Sequence, residues 1–298
     1  MCPEGELAMT DEPIALPVMR PAPERAQLPK PVRKDEIDLL DRGVHIESWL
    51  PERRSRRRPL LLIHGELGGS WLWHRYQEFF AGRGWEAHAV NLIGHYWSDT
   101  VDFEMVGFRT YLDDARAAHA RLGGHAVVVG HGMGGLIALK LAELDPAAGL
   151  VLISPALPQE LRPPAKMHQL RDVPAVFRRD LIGWQGMPEQ IRRQNPDLSI
   201  ADVLRIQHMM GAESGSARRD VLMGIPVDPA ALRVAPRLVI GGGLDRLQPE
   251  ADSERLAEWI EAEYQPFGAH SHYGLVAGDV AHAQVAATIK TFLEAHRL

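Results

Sequence analysis

The stretch Val127-Val128-Val129-Gly130-His131-Gly132-Met133-Gly134-Gly135 leaves this chain few folds to choose from. Three β-branched residues predict a buried strand. The glycines that follow force a tight turn. Leu136-Ile137-Ala138-Leu139-Lys140 then predicts a helix. A strand that turns straight into a helix brings two backbones close together, which small residues permit and larger ones obstruct. Further apolar runs at 60–63, 87–92, 126–129, 150–153 and 238–240 read as buried strands. Between them, helical patterns cover 73–81, 103–122, 134–144, 251–262 and 280–295. Strands alternating with helices predict an α/β fold, with a mostly parallel sheet flanked by helices. Residues 45–50 read as an earlier strand, part of a leading hairpin.

The domain expectation follows from where this rhythm starts and breaks. Residues 1–36 are expected to be a disordered or loosely packed extension, with seven prolines and no apolar signal core among the first 34 residues. Residues 37–158 and 225–298 form the expected core. Residues 159–224 carry helical patterns without strand-like runs and interrupt the alternation. They are expected to be a helical cap over the carboxyl ends of the strands, where open α/β sheets bind ligands. The net charge of -6 supplies no field attractive to nucleic acid or an anionic membrane. The arginine-rich run at 53–58 reads as a solvated turn. No apolar run approaches a membrane span. The single cysteine, Cys2, can form neither an internal disulfide nor a zinc cluster. A cytoplasmic protein acting on a small molecule, without cofactor or metal, is the expectation.

Gly130, Gly132 and Gly135 also spell G-x-G-x-x-G. A dinucleotide-binding loop, however, wants an acid at the end of the next strand, and Ile153-Ser154-Pro155 offers none there. The stronger match is to a nucleophile elbow, G-x-S-x-G, with Gly132 where the serine belongs.

Four other stretches match in register, and from about residue 38 onward the chain resembles the α/β-hydrolase superfamily. Leu61-Leu62-Ile63-His64-Gly65, followed by Trp71 and Trp73, resembles the family's His-Gly strand end. Asn91-Leu92-Ile93-Gly94-His95-Tyr96-Trp97-Ser98-Asp99 resembles the loop D-x-x-G-H-G-x-S, departing at Asn91 and Tyr96. Gly241-Gly242-Gly243-Leu244-Asp245 resembles the acid loop, and Gly268-Ala269-His270-Ser271-His272 the histidine loop. The resemblance implies Asp245 and His272 as acid and base, with His270 a competitor for the second role. It implies the backbone N–H groups of Glu66 and Met133 as an oxyanion hole. The carboxylate of Glu66 either faces the pocket or is held in a surface or structural ion pair. His64, Trp71, His131 and Trp184 are the expected pocket residues. A metal site from His270, His272 and His282 matches no known ligand spacing.

Gly132 has no oxygen with which to form an acyl-enzyme. A His-Asp base and a backbone oxyanion hole survive that loss, because neither uses the missing side chain. The expectation is non-covalent chemistry on an apolar carbonyl compound, by a lyase, isomerase, cyclase or direct water attack. A pure binding protein and a serine ester or amide hydrolase carrying a Ser-to-Gly change are the alternatives. Met167, Phe177, Met187, Met209 and Met210 suggest the apolar pocket wall.

Overall fold

The computed structural model describes residues 32–53 and 56–298. The expected extension therefore falls largely outside the described residues, as do Arg54 and Ser55 of the arginine run. Its last positions do not belong to it. Val32–Leu39 form strand β1, which pairs antiparallel with β2 (Val44–Pro51). After the hairpin come β3 (Leu60–Ile63), α1 (His74–Ala81), β4 (Ala87–Asn91), α2 (Phe108–Arg121), β5 (Val127–His131), α3 (Met133–Leu144) and β6 (Gly149–Ile153). An insertion follows: α4 (Met167–Arg171), β7 (Val176–Phe177), α5 (Pro188–Gln194), α6 (Ile200–Met209), β8 (Glu213–Ser214) and α7 (Gly215–Met223). The chain returns through β9 (Arg237–Gly242), α8 (Glu250–Trp259), β10 (Glu263–Phe267), α9 (Gly274–Ala277) and α10 (Ala281–Ala295). The main sheet has the order β1-β2-β4-β3-β5-β6-β9-β10, parallel from β4 to β10.

Helices cover both faces of the sheet, which is why its central strands read as unbroken apolar runs. Leu61, Ile63, Val128 and Leu152 point toward α2, α3 and α8, against Tyr111, Leu136 and Leu256. Leu60, Leu62, Val129 and Ile153 point the other way, onto Tyr76, Phe80, Ile289 and Phe292 of α1 and α10. Each such side chain fully removed from water contributes about 1.5–3 kcal/mol before entropy is counted.

Strands that no apolar run predicts stand at both sheet edges and inside the insertion. β1 is charged and β10 contains Pro266, which an edge strand tolerates. β7 and β8 form a two-residue antiparallel ladder within the segment expected to be wholly helical. Among the described residues no helix is long and apolar enough to cross a membrane.

Candidate active site

The elbow is built as its glycines require. Gly132 stands between β5 and α3 at φ 56° and ψ -123°, a backbone conformation that glycine adopts freely. Its carbonyl accepts from the N–H groups of Gly135 (3.0 Å) and Ala156 (2.9 Å), and its own N–H donates to Ile153 (3.2 Å). Gly134 packs against the strand end opposite, so that a Cβ there would collide with the backbone carbonyls of Ile63 and His64. A Cβ on Gly132 would stand 3.2 Å from Nε2 of His272.

That imidazole is fixed from its other side. Nδ1 of His272 donates to Oδ2 of Asp245 at 2.7 Å. Oδ1 of Asp245 accepts from the N–H groups of Leu247 and Gln248, each at 2.8 Å. Burial pushes the Asp245 carboxyl up, but the charge and hydrogen bond of His272 and the loop N–H of Gln248 outweigh it and hold the group below its ordinary range. Asp245 is therefore ionised, Nδ1 of His272 is directed at it, and Nε2 is left facing residue 132. His270 is elsewhere. Its ring lies edge-on against Phe267, and its carbonyl accepts from Leu244.

His131 and His64, expected in the pocket, are buried supports. The His131 ring lies 4.2 Å from that of His272, centroid to centroid, and Nε2 donates to the His272 carbonyl at 3.1 Å. Burial, reinforced by the neighbouring His272, keeps it far below the usual histidine range and hence neutral. His64 donates from Nδ1 to the Gly65 carbonyl and accepts at Nε2 from the Leu92 N–H. Burial, aided by His95, pushes it down to about 3.

The other expected pocket residues are not among those that line the two cavities beside the elbow. Trp71 lines a separate cavity with Leu72, Arg75 and Arg205. Trp184 is buried and packs edge-on against Tyr273 at 4.9 Å. Met167 and Met187 are 64% and 62% exposed. Phe177 is buried with the Arg218 guanidinium 5.4 Å from its ring centroid, Met210 lines a cavity with Arg178 and Arg179, and Met209 lines the Trp71 cavity.

What lies beside the elbow is more polar than expected. A chamber of about 60 Å³ is lined by Glu66, Met133, Arg218, Leu247, Gln248, His272 and Tyr273. A cavity of about 300 Å³ shares five of these residues and adds Arg162, Asp252 and apolar side chains, among them Leu157 and Val221. Glu66 and Met133 thus border both spaces. The Glu66 carboxylate both faces the cavity and forms an ion pair, with Nη1 of Arg218 from α7 at 2.5 Å. Burial pushes its carboxyl up despite that arginine.

No local sequence pattern points to Glu213 of β8, which is fully buried. Its carboxylate accepts from Nε2 of His95 (3.1 Å), the Tyr111 hydroxyl (2.6 Å), and the N–H groups of Ser214 (2.8 Å) and Leu67 (3.1 Å). Burial raises its pKa, but the His95 charge and these donors outweigh that and lower it. Leu67 has φ 60° and follows Glu66 directly, so an insertion residue anchors the loop that presents the Glu66 N–H. Among the described residues no group of three or more His, Cys, Asp or Glu could hold a metal ion.

Comparison with known proteins agrees with this architecture. A family model described as the alpha/beta hydrolase family matches residues 60–288. Esterase PIR7B of Oryza sativa subsp. japonica is 32% identical over 109 residues, covering 35% of this chain and 41% of the relative. A pyrethroid hydrolase of Sphingobium wenxiniae is 29% identical over 100 residues, covering 33% of this chain and 36% of the relative. The matched region thus spans well under two thirds of either relative's length. Among solved structures, a thermophilic esterase from Thermogutta terrifontis superposes with a TM-score of 0.66 at 19% identity, covering 89% of this chain and 100% of that one. A thioesterase domain from the curacin biosynthetic pathway gives 0.61 at 18% identity, covering 87% and 99%. These likenesses establish the fold.

Proposed function

Because this chain belongs to the α/β-hydrolase family, yet carries glycine at its elbow, we propose that it is a non-covalent enzyme that hydrolyses a small carbonyl compound by direct attack of water. His272 is the general base, Asp245 fixes its tautomer, and the N–H groups of Glu66 and Met133 hold the developing oxyanion. The insertion serves as a cap over the site. The observation that carries this reading is Nε2 of His272, a free acceptor 3.2 Å from where a Cβ at residue 132 would stand. A serine oxygen would be the proton donor at such a place. With Gly132, water takes that part, and the adjoining chamber of about 60 Å³ is large enough for one.

The chemistry balances without a covalent intermediate. Nε2 takes a proton from water as its oxygen bonds to the carbonyl carbon. The carbonyl electrons move onto the oxygen held by the two N–H groups. Collapse expels the leaving alkoxide, which recovers the proton from the imidazolium.

The test is a panel of small esters with wild type and His272→Ala. The variant should lose about 10²- to 10⁴-fold in turnover. Wild-type protein should show no acyl adduct by intact-protein mass spectrometry during turnover, and should be insensitive to a fluorophosphonate. Unchanged turnover in His272→Ala, or an acyl adduct on the wild type, defeats the proposal.

A further inference from the structure

The larger cavity bears on which carbonyl compound the site takes. Four charged side chains line it: Glu66, Arg162, Arg218 and Asp252. Three of them are matched. Glu66 and Arg218 pair with each other at 2.5 Å, and Asp252 accepts from Arg255 at 2.7 Å. Arg162 is different. Its Nη1 donates to the backbone carbonyl of Val221, and its Nε is buried with no hydrogen-bond partner. Among the described residues no carboxylate lies within ion-pair distance of it.

Arg162 as a whole is half-buried, but its Nε is out of reach of water, an unsatisfied donor there is costly, and a carboxylate is the group that a guanidinium's parallel N–H bonds fit best. The lining adds Ala156, Leu157, Val221 and Leu222 as apolar surface, and the Asp252 carboxylate, which acts on Arg162 from beyond ion-pair distance, leaves its buried Nε unpaired. The cavity joins the His272 chamber through five shared residues: Glu66, Met133, Arg218, Leu247 and Gln248. One molecule can therefore reach from the chamber to Arg162.

We infer that Arg162 binds an anionic group of the substrate, making the preferred substrate a short carbonyl compound with a carboxylate at its far end. This replaces the wholly apolar substrate expected from the sequence. It rests on the hydrolytic reading for the carbonyl end of the molecule, but the anion site can be tested by binding alone.

The test uses His272→Ala, so that turnover does not intrude, and measures calorimetrically the binding of monomethyl glutarate, a monoanion, and of dimethyl glutarate, its neutral analogue. The monoanion should bind at least about 10-fold more tightly. Adding Arg162→Gln should erase that preference while leaving the affinity for the diester unchanged. Equal affinity for the two probes, no measurable binding of the monoanion, or a preference that survives Arg162→Gln overturns the inference. Should Arg162→Gln fail to fold, the comparison of the two probes on His272→Ala decides alone. Failure of the hydrolytic reading shows up separately, as ester turnover that persists without His272.

Discussion

Restoring an oxygen to residue 132 tests the elbow directly. Gly132 is at φ 56° and ψ -123°, where a side chain costs about 1–3 kcal/mol. The added Cβ would also stand 3.2 Å from Nε2 of His272, closer than such atoms ordinarily approach. The imidazole must therefore yield by a few tenths of an ångström, while its Nδ1 remains bonded to Asp245 at 2.7 Å. Gly132→Ser should lose about 1–3 kcal/mol of stability in chemical denaturation, and Gly132→Ala a similar amount. Only the serine variant should gain covalent labelling by a fluorophosphonate, and the labelling should disappear when His272→Ala is added. A folded Gly132→Ser protein that resists the reagent would mean that residue 132 is not at the attacking position. Labelling that survives loss of His272 would mean that the imidazole is not its base.

Two further outcomes follow from carboxylates held by several hydrogen bonds. Glu213→Ala leaves His95, Tyr111 and two backbone N–H groups without their acceptor, and should cost about 3–5 kcal/mol in denaturant unfolding. Burial pushes Glu47 up, but His74, Trp49 and Ser70 outweigh it and bring it to about 2 from an ordinary 4.5. Because the folded pKa is the lower one, its stabilisation is complete above pH 4.5 and is lost as pH falls towards 2. Glu47→Gln should remove a contribution of no more than about 3 kcal/mol from that acid limb, measured as unfolding free energy against pH.

The parts of this molecule legible in the sequence are those whose physical requirements are local. The elbow needs glycines at fixed spacing within one short segment, and the central strands need apolar runs because both their faces are covered. Asp245 and His272 each lie in a loop with a recognisable neighbourhood, and the structure brings them together. The charged β1 and the proline-containing β10 escaped because an edge strand need not look apolar. Trp71 and Trp184 were expected in the pocket because aromatic residues often line pockets, yet the same surface area suits them to packing. Glu66 pairs with Arg218 across 152 positions, and Glu213 meets His95 across 118. Neither partner carries a local pattern that announces the other. Of the residues around the two cavities, Arg162 and Arg218 are recognisable only once it is known which parts of the insertion face the elbow.

The grip of Glu213 on Leu67 has a consequence for engineering this scaffold. The segment between β6 and β9 is not an interchangeable lid, because one of its carboxylates serves as a peg for a turn belonging to the first third of the chain. A chimera given a foreign segment of equal length would lose that peg, and the loop that carries Glu66 would slacken even with every residue near His272 intact. A successful transplant would have to bring an acceptor of its own to the backbone of Leu67.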